Sequence, residues 1–489
     1  MIGLAGGSLR VSSSSGKNFT GRLFTATPPS YCISHRAIPI RPVVKRDLSL
    51  AQTMSLRFNS EKKPVVLDIG HRSIKAGFAG EGSPRCIQAT PPAVQHLLGY
   101  LVSSPTSTLS PTVPKAAEQA ISILLRYIFF EQLLIKPPEH RLVICQHQDT
   151  PHSFQKILTQ VVFSLFRTPS VLLRSCSSFA LQCAGCTSGL VVDVGSRETR
   201  VCPYVFGVPL EHASTTAAVG YRSLEGYLQR RLEAQWTLAG HAMSELTPHM
   251  EGLVRKACRV VSQQDAIAAR QSIQSLQSLQ SLESLQSRQS GQSAMGMETS
   301  PPLPVVPDLP YKFNECELTV RGIDRILAPE LLFGTAMGGG AREGKGNIVA
   351  VGEEQESSVL TAIVGALMRC NCDCRLHAAR NIILVGGTAG LPGFHARLLE
   401  ELHSLAQVAA DSANADDRMK DHPTRKALVC LLNCHVVQMP CAPQVVAWTG
   451  GSIVGSVDDL KDLSMSLKEW TDGKQVVDQS ALPVGGDDL

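Results

Sequence analysis

The sequence predicts an α/β fold, because three stretches of the chain read as buried strands that run into glycine-containing turns. The first two stretches, residues 63–70 and 189–195, are apolar runs that end in Asp-x-Gly. Each is followed by a polar turn and a return strand, over residues 75–80 and 199–206. The third stretch, residues 381–388, ends in Gly-Gly-Thr, and the Leu-Pro-Gly that follows is expected to open a helix.

Two Asp-x-Gly turns that face each other can hold a triphosphate between them. Backbone N–H groups in the turns donate to phosphate oxygens, and the two aspartates hold a hydrated Mg²⁺ through its waters. A Gly-Gly turn lets the backbone approach a nucleoside with no side chain in between. The residues predicted to bind such a cofactor are Asp68, Gly70, Lys75, Asp193, Gly195, Gly386, Gly387 and Thr388.

The composition indicates a globular protein with more than one domain. The chain has 489 residues, of which 43% are hydrophobic, so it can bury sizeable cores. The net charge is only +4 and no basic stripe interleaved with aromatics occurs, so nucleic acid is not an expected partner. No apolar run reaches about eighteen residues, so direct membrane insertion is not expected either. Fifteen cysteines without a short disulfide framework favour reduced thiols.

Residues 1–56 are predicted to form a disordered N-terminal extension. Seven basic residues precede the first acidic residue, Asp47, around a serine-rich stretch, and this composition is typical of a transit peptide. The alternative is that Met54 is the working start, because the sequence after it runs directly into a strand. Whether residues 1–53 belong to the mature protein stays open.

A low-complexity insertion is predicted over residues 264–310. Residues 270–288 repeat Gln-Ser-Leu with little change, and a proline-rich stretch follows. A three-residue period makes the leucines drift around a helix, so no single apolar stripe forms for core packing. We expect a solvated segment that is disordered or loosely helical, serving either as a partner-binding element or as a neutral expansion.

Two Asp-x-Gly turns with a later Gly-Gly-Thr are typical of the superfamily of sugar kinases, heat-shock chaperones and actins. Further local motifs resemble the actins in particular, and they occur in the same order. These motifs are residues 75–85, 328–333, 385–393, 446–453 and 466–470. The resemblance covers roughly residues 63–471, apart from the insertion.

The resemblance implies an actin-like two-lobed fold with a central nucleotide cleft. The outer lobe would combine residues 64–183 with 446–489, and the inner lobe would be residues 184–445. Between Gly80 and His140 the chain is shorter than actins, which implies a reduced second subdomain.

The departures from actins concern nucleotide chemistry. By gap-free counting to Asp193, the glutamine that positions the attacking water in actins falls on Cys176, and the nearby histidine falls on Arg200. Neither residue can orient water as an amide and an imidazole do. Each phosphate turn also has an arginine, Arg72 or Arg197, in place of its second glycine, and an arginine can itself contact phosphate. We therefore predict no enzyme, although a weak ATPase stays open, with ATP or ADP and Mg²⁺ as a structural ligand.

Catalytic and metal-binding residues are not predicted elsewhere. The triplet Cys370, Cys372 and Cys374 offers alternate thiols, but a further ligand at suitable spacing for zinc is not evident. Cys176 is expected to pack rather than to act as a nucleophile. No catalytic Ser/His/Asp set can be recognised in the sequence.

Four features resemble one branch of the actin family: the degenerate second phosphate loop that begins at residues 192–193, the short second subdomain, the motif at residues 85–87 and the segment 169–173. Within the family, they are most similar to the divergent actin-related proteins at the pointed end of dynactin. The resemblance implies a cytoplasmic, cytoskeletal hetero-oligomer that caps a filament end and supports dynein-driven microtubule transport. Its implied partners are actin-related filament subunits and dynactin pointed-end subunits. Two alternatives are an actin-related subunit of a chromatin-remodelling complex, and an active ATPase or sugar kinase.

Overall fold

A computed structural model gives the arrangement of most of the chain. The predicted extension at residues 1–56 and most of the Gln-Ser-Leu insertion lie outside the described residues. No helix in the described part of the chain is long and apolar enough to cross a membrane. The described residues are 62–103, 112–147, 150, 152–238, 240, 243–246, 249–272, 306–313, 316–334, 357–411, 423–457 and 463–474.

The first sheet has six strands and contains the first predicted hairpin. Its central strand β1 pairs antiparallel with β2 and parallel with β4, so that Asp68 lies opposite both Lys75 and Cys145. The strands, in spatial order, are β14 (Met465–Ser466), β5 (Ser170–Ser175), β4 (His140–Gln146), β1 (Lys62–Ile69), β2 (Ser73–Phe78) and β3 (Cys86–Ala89).

Helices connect the strands of the first sheet. Among the described residues between β3 and β4, all regular structure is helical and no strand is present. The segment that follows α2 continues as a π-helix, Tyr127–Gln132, and the short 3-10 helix Pro137–Glu139 leads into β4. The α-helices of this part are α1 (Pro92–Ser103), α2 (Thr112–Arg126), α3 (His152–Gln160) and α4 (Cys176–Cys183).

The second sheet contains the second predicted hairpin and the strand before the Gly-Gly turn. Its strand β6 pairs antiparallel with β7 and parallel with β12, so that Asp193 lies opposite Arg200 and Val385. The strands are β13 (His435–Val436), β12 (Asn381–Val385), β6 (Gly189–Val194), β7 (Thr199–Val205) and β8 (Val208–Pro209), with β9 (Thr215–Ala217) also on β7. The predicted α/β fold with two sheet-centred lobes is therefore confirmed.

The helices around the second sheet include the one predicted after Leu-Pro-Gly, which begins at Phe394. Arg397 in this helix donates to the Glu330 carboxylate at 2.8 Å, and both side chains are buried. The helices are α5 (Tyr221–Leu238), α6 (Met243–Leu246), α7 (Met250–Ala257), α8 (Gly322–Glu330), α9 (Val359–Arg369), α10 (Cys372–Arg380), α11 (Phe394–Asp411) and α12 (Pro423–Val429).

The two ends of the predicted insertion belong to the folded structure. Residues 263–272 are helical, and Ala266 and Ala269 in this helix are fully buried. At the other end, β10 (Leu309–Phe313) pairs with β11 (Cys316–Val320) in an antiparallel hairpin. Apolar positions at both ends thus find core partners, and the surface segment is narrower than the predicted range 264–310.

The C-terminal part of the chain returns to the first sheet. Helix α13 (Val446–Gly455) packs against α4 and β1, and the buried Trp448 donates its Nε1–H to the carbonyl of Val66 at 3.1 Å. After it, β14 pairs with β5, and α14 (Leu467–Thr471) begins at a Ser466–Glu469 capping box. The motif at residues 446–453 is therefore a packing element.

Candidate functional site

The residues predicted to bind a cofactor all line one cavity of about 490 Å³. It lies where the β1–β2 turn, the β6–β7 turn and the turn after β12 meet. The volume is in the usual range for small-molecule sites. The cavity is therefore the candidate functional site.

Gly70 and Gly195 close the two Asp-x-Gly turns. The N–H of Gly70 donates to Ser73 O, and that of Gly195 donates to Glu198 O, each at 3.0 Å. A Cβ at Gly70 would lie 2.8 Å from the Ser73 carbonyl oxygen, so this turn requires glycine. Because these two amides are already bonded, phosphate donors in the turns must come from the following residues.

The Gly-Gly turn after β12 docks on the second hairpin. Gly386 has φ +93°, and a Cβ there would lie 2.3 Å from Val194 O, so only glycine fits. A Cβ at Gly387 would meet no atom within 4 Å. Thr388 donates its hydroxyl to Gly195 O at 3.1 Å, so it ties the two turns together.

Asp68 lies at the floor of the cavity with both carboxylate oxygens engaged. Lys75 Nζ lies 2.7 Å from Oδ2, and His147 Nε2 lies 2.8 Å from Oδ1. Burial raises the pKa of Asp68, but the charges and hydrogen bonds of Lys75 and His147 outweigh it and hold that pKa well below its ordinary value. The carboxylate therefore stays ionised.

His147, which the sequence analysis missed, lies between the two aspartates. Its Nδ1 is 3.9 Å from Asp193 Oδ2, on the other side of the ring from Asp68. It directly follows β4, whose residue Cys145 is in register with Asp68, so the strand order brings it to the site. A hydrated Mg²⁺ between the aspartates needs the space that this ring fills, and Mg²⁺ prefers oxygen to nitrogen donors. The site therefore does not fit the magnesium predicted from the sequence.

Arg72 crosses the cleft from the first turn to the opposite wall. Its guanidinium lies 4.0 Å above the Tyr221 ring, with Nη1 3.0 Å from Glu225 Oε2 and Nη2 3.7 Å from Glu251 Oε2. Arg72, which replaces a phosphate-turn glycine, is thus held by carboxylates of α5 and α7. The sequence suggested that an arginine in this turn could contact phosphate, and the structure pairs Arg72 with Glu225 and Glu251.

The second turn keeps unsatisfied polar groups. Arg197 Nε and Ser196 Oγ are buried, line the cavity and have no hydrogen-bond partner among the described residues. A buried donor without a partner is costly, and an anionic ligand would satisfy it. These two residues are the best-placed anion contacts in the cavity, and neither was among the cofactor residues predicted from the sequence.

Cys176 and Arg200, which are predicted to replace the hydrolytic residues of actins, lie beside the aspartates. Cys176 is the first residue of α4 and is buried, and burial raises the pKa of its thiol. Arg200 forms an ion pair with Glu198 next to it on the second hairpin. Neither supplies a neutral amide or imidazole facing the cavity.

Comparison with known proteins agrees with this architecture. The family model described as Actin matches residues 116–481. Actin-related protein 10 of Dictyostelium discoideum is 23% identical to this chain over 449 residues, which cover 86% of this chain and 88% of that protein. Since the family model matches well over half of the sequence, the chain belongs to the actin family.

Proposed function

We propose that this chain is a non-catalytic actin-related subunit that caps the pointed end of the dynactin minifilament. In this role it supports dynein-driven transport along microtubules in the cytoplasm. The observation that carries the proposal is the helical connection between β3 and β4, which the described residues build without a strand. The similarity to an actin-related protein over most of both chains supports the same branch of the family.

The capping role follows from how filaments grow. Subunits join by heterologous head-to-tail contacts, in which one face donates and the other accepts. In actins, the second subdomain carries the loop that inserts into the next subunit. A subunit with a reduced second subdomain and an intact accepting face joins an end and stops further addition.

We propose that the cavity holds ATP or ADP as a structural ligand, without the catalytic machinery of an actin. Arg197, Ser196 and the open backbone at Gly387 would contact the nucleotide, together with the other cavity residues predicted from the sequence. Proteins of the actin family generally bind nucleotide with Mg²⁺. Here the His147 ring lies between Asp68 and Asp193, where a hydrated Mg²⁺ would have to be held. The lobes would be residues 64–183 with 446–489, and residues 184–445.

We expect ATP hydrolysis by the purified protein to be at least about a hundredfold slower than by a conventional actin assayed alongside. The reason is that Cys176 and Arg200 cannot orient a water for in-line attack. Release of inorganic phosphate under single-turnover conditions is the measurement. The conventional actin assayed alongside is the positive control, because it shows that the assay detects a normal rate. A rate equal to that of actin would contradict the proposal.

The cap assignment is tested by affinity purification of the full-length chain tagged at its C-terminus, with partners identified by mass spectrometry. We expect actin-related filament subunits and dynactin pointed-end subunits in stoichiometric amounts. A parallel variant without residues 273–305 tests whether the Gln-Ser-Leu insertion contributes, and we expect it to recover the same partners. Recovery of chromatin-remodelling subunits, or of no stable partner, would overturn the assignment.

A further inference from the structure

Three potential metal ligands of different chemistry converge at the floor of the cleft. One ligand atom each from Asp68, His147 and Cys176 lies within 4.8 Å of the other two. Asp68 and Cys176 are buried and His147 is partly buried. In the described part of the chain, no other trio of histidine, cysteine or acidic side chains comes together in this way.

The elements of the first sheet hold these ligands in place. Asp68 is the last residue but one of the buried strand β1, His147 follows the parallel strand β4, and Cys176 opens α4 directly after β5. Because these strands are neighbours, their carboxyl ends deliver all three side chains to one edge of the sheet. Two of the ligands therefore lie in regular elements, and the third directly follows one.

The donor atoms suit a zinc-like ion better than magnesium. Magnesium prefers oxygen donors in octahedral geometry, whereas zinc binds thiolate, imidazole and carboxylate in tetrahedral sites. Ligand atoms around one zinc ion lie about 3.3–3.8 Å from each other, given bond lengths of about 2.0–2.3 Å. The three atoms therefore need only small shifts to share one ion.

Two surrounding side chains, Lys75 and Asp193, lie against the ligands Asp68 and His147. Lys75 holds Asp68 by Oδ2 at 2.7 Å, which leaves Oδ1 on the His147 side. His147 Nδ1 faces the Asp193 carboxylate at 3.9 Å, while Nε2 faces Asp68. Metal-bound histidines usually direct their second ring nitrogen to a carboxylate, which sets the tautomer and the ring orientation. Asp193 is placed for that role.

We propose that Asp68, His147 and Cys176 bind one zinc-class divalent ion. The ion lies where a hydrated magnesium would lie in this fold. Its ligands include sulfur and nitrogen instead of oxygen alone. It joins β1, the segment after β4 and α4 beneath the two phosphate turns. This site stands independently of the capping function.

The first test uses the full-length wild-type protein, freed of metal by a chelator and titrated with Co²⁺. We expect one equivalent to bind and to produce a thiolate-to-cobalt absorption band in the near ultraviolet, which one equivalent of Zn²⁺ removes. Folding is followed by circular dichroism in the same samples. A folded protein that shows no stoichiometric band overturns the proposal without reference to any variant.

Substitutions then identify the ligands. Cys176→Ser is expected to abolish the band, and His147→Ala to weaken Co²⁺ binding at least about a hundredfold. Cys372→Ser is the matched control, because Cys372 is exposed and belongs to the cysteine triplet for which no zinc site is predicted. Loss of the band in Cys372→Ser, with retention in Cys176→Ser, would place the metal elsewhere. Affinity purification of Cys176→Ser tests the capping proposal separately. If this variant loses the cobalt band and still recovers the same partners, the two proposals are independent.

Discussion

Replacing Lys75 with methionine is expected to lower the free energy of unfolding by about 3 kcal/mol at neutral pH. The substitution keeps most of the side-chain volume but removes the cation 2.7 Å from Asp68. The aspartate side chain is only 1% exposed, so its charge would be left buried with a single partner, His147. Chemical denaturation with urea measures the difference from the wild type.

The pH dependence follows from the direction of the Asp68 pKa shift. Lys75 and His147 hold that pKa below the ordinary value of 3.8, so the pairing stabilises the folded state above about pH 4. This contribution is lost as the pH falls below that value and the folded-state carboxylate becomes protonated. The stability gap between wild type and Lys75→Met should therefore narrow in acid.

A surface ion pair supplies the control for this prediction. Lys62 pairs with Glu139, and its side chain is more than half exposed. Lys62→Met is expected to change the free energy of unfolding by at most about 1 kcal/mol. If Lys75→Met were no more destabilised than Lys62→Met, the buried pair would not have the structural role assigned to it.

Gly450→Ala is expected to destabilise the protein by about 3 kcal/mol, with a clear drop in Tm. Gly450 lies in α13, where a Cβ would come 1.8 Å from the carbonyl oxygen of Phe179 in α4. This oxygen belongs to the backbone, so relief requires the two helices to separate. Separation would also pull Trp448 from its bond to the Val66 carbonyl.

Gly226→Ala is the matched control in another helix. Gly226 lies within α5, and a Cβ there would meet no atom within 4 Å. Alanine has the higher helix propensity, so this change is expected to stabilise the protein by about 0.5–1 kcal/mol. The Tm of Gly450→Ala should therefore fall below that of the wild type, and the Tm of Gly226→Ala should rise above it. Equal shifts would show that α13 is not tightly packed against α4.

Local elements of the candidate site could be predicted from the sequence. The β1–β2 hairpin places Lys75 directly opposite Asp68, so an apolar run, a turn and a return strand already imply their proximity. The glycines at 70, 195 and 386 were predicted for phosphate or nucleoside approach. The structure shows that Gly70 and Gly386 are required mainly for turn closure and close backbone docking.

Contacts between distant segments could not be predicted in this way. His147 lies 79 positions from Asp68 and belongs to no motif, and the parallel pairing of β4 with β1 brings it to the aspartate. Arg72 was predicted as a candidate phosphate contact, but carboxylates of α5 and α7 hold it instead. Cys176 was expected to pack, and it does so beside Asp68 and His147, whose side chains are also of metal-ligating types.

The sequence by itself determined the strands, the turns and the order of the actin-like motifs. These features depend on apolar periodicity and glycine placement, which act over a few neighbouring residues. Only the tertiary structure decided that His147 and Lys75 both bond to Asp68, and that Arg72 is tied across the cleft. Charge pairing acts over a few ångströms in space, and strand order and helix packing set those distances across widely separated parts of the chain.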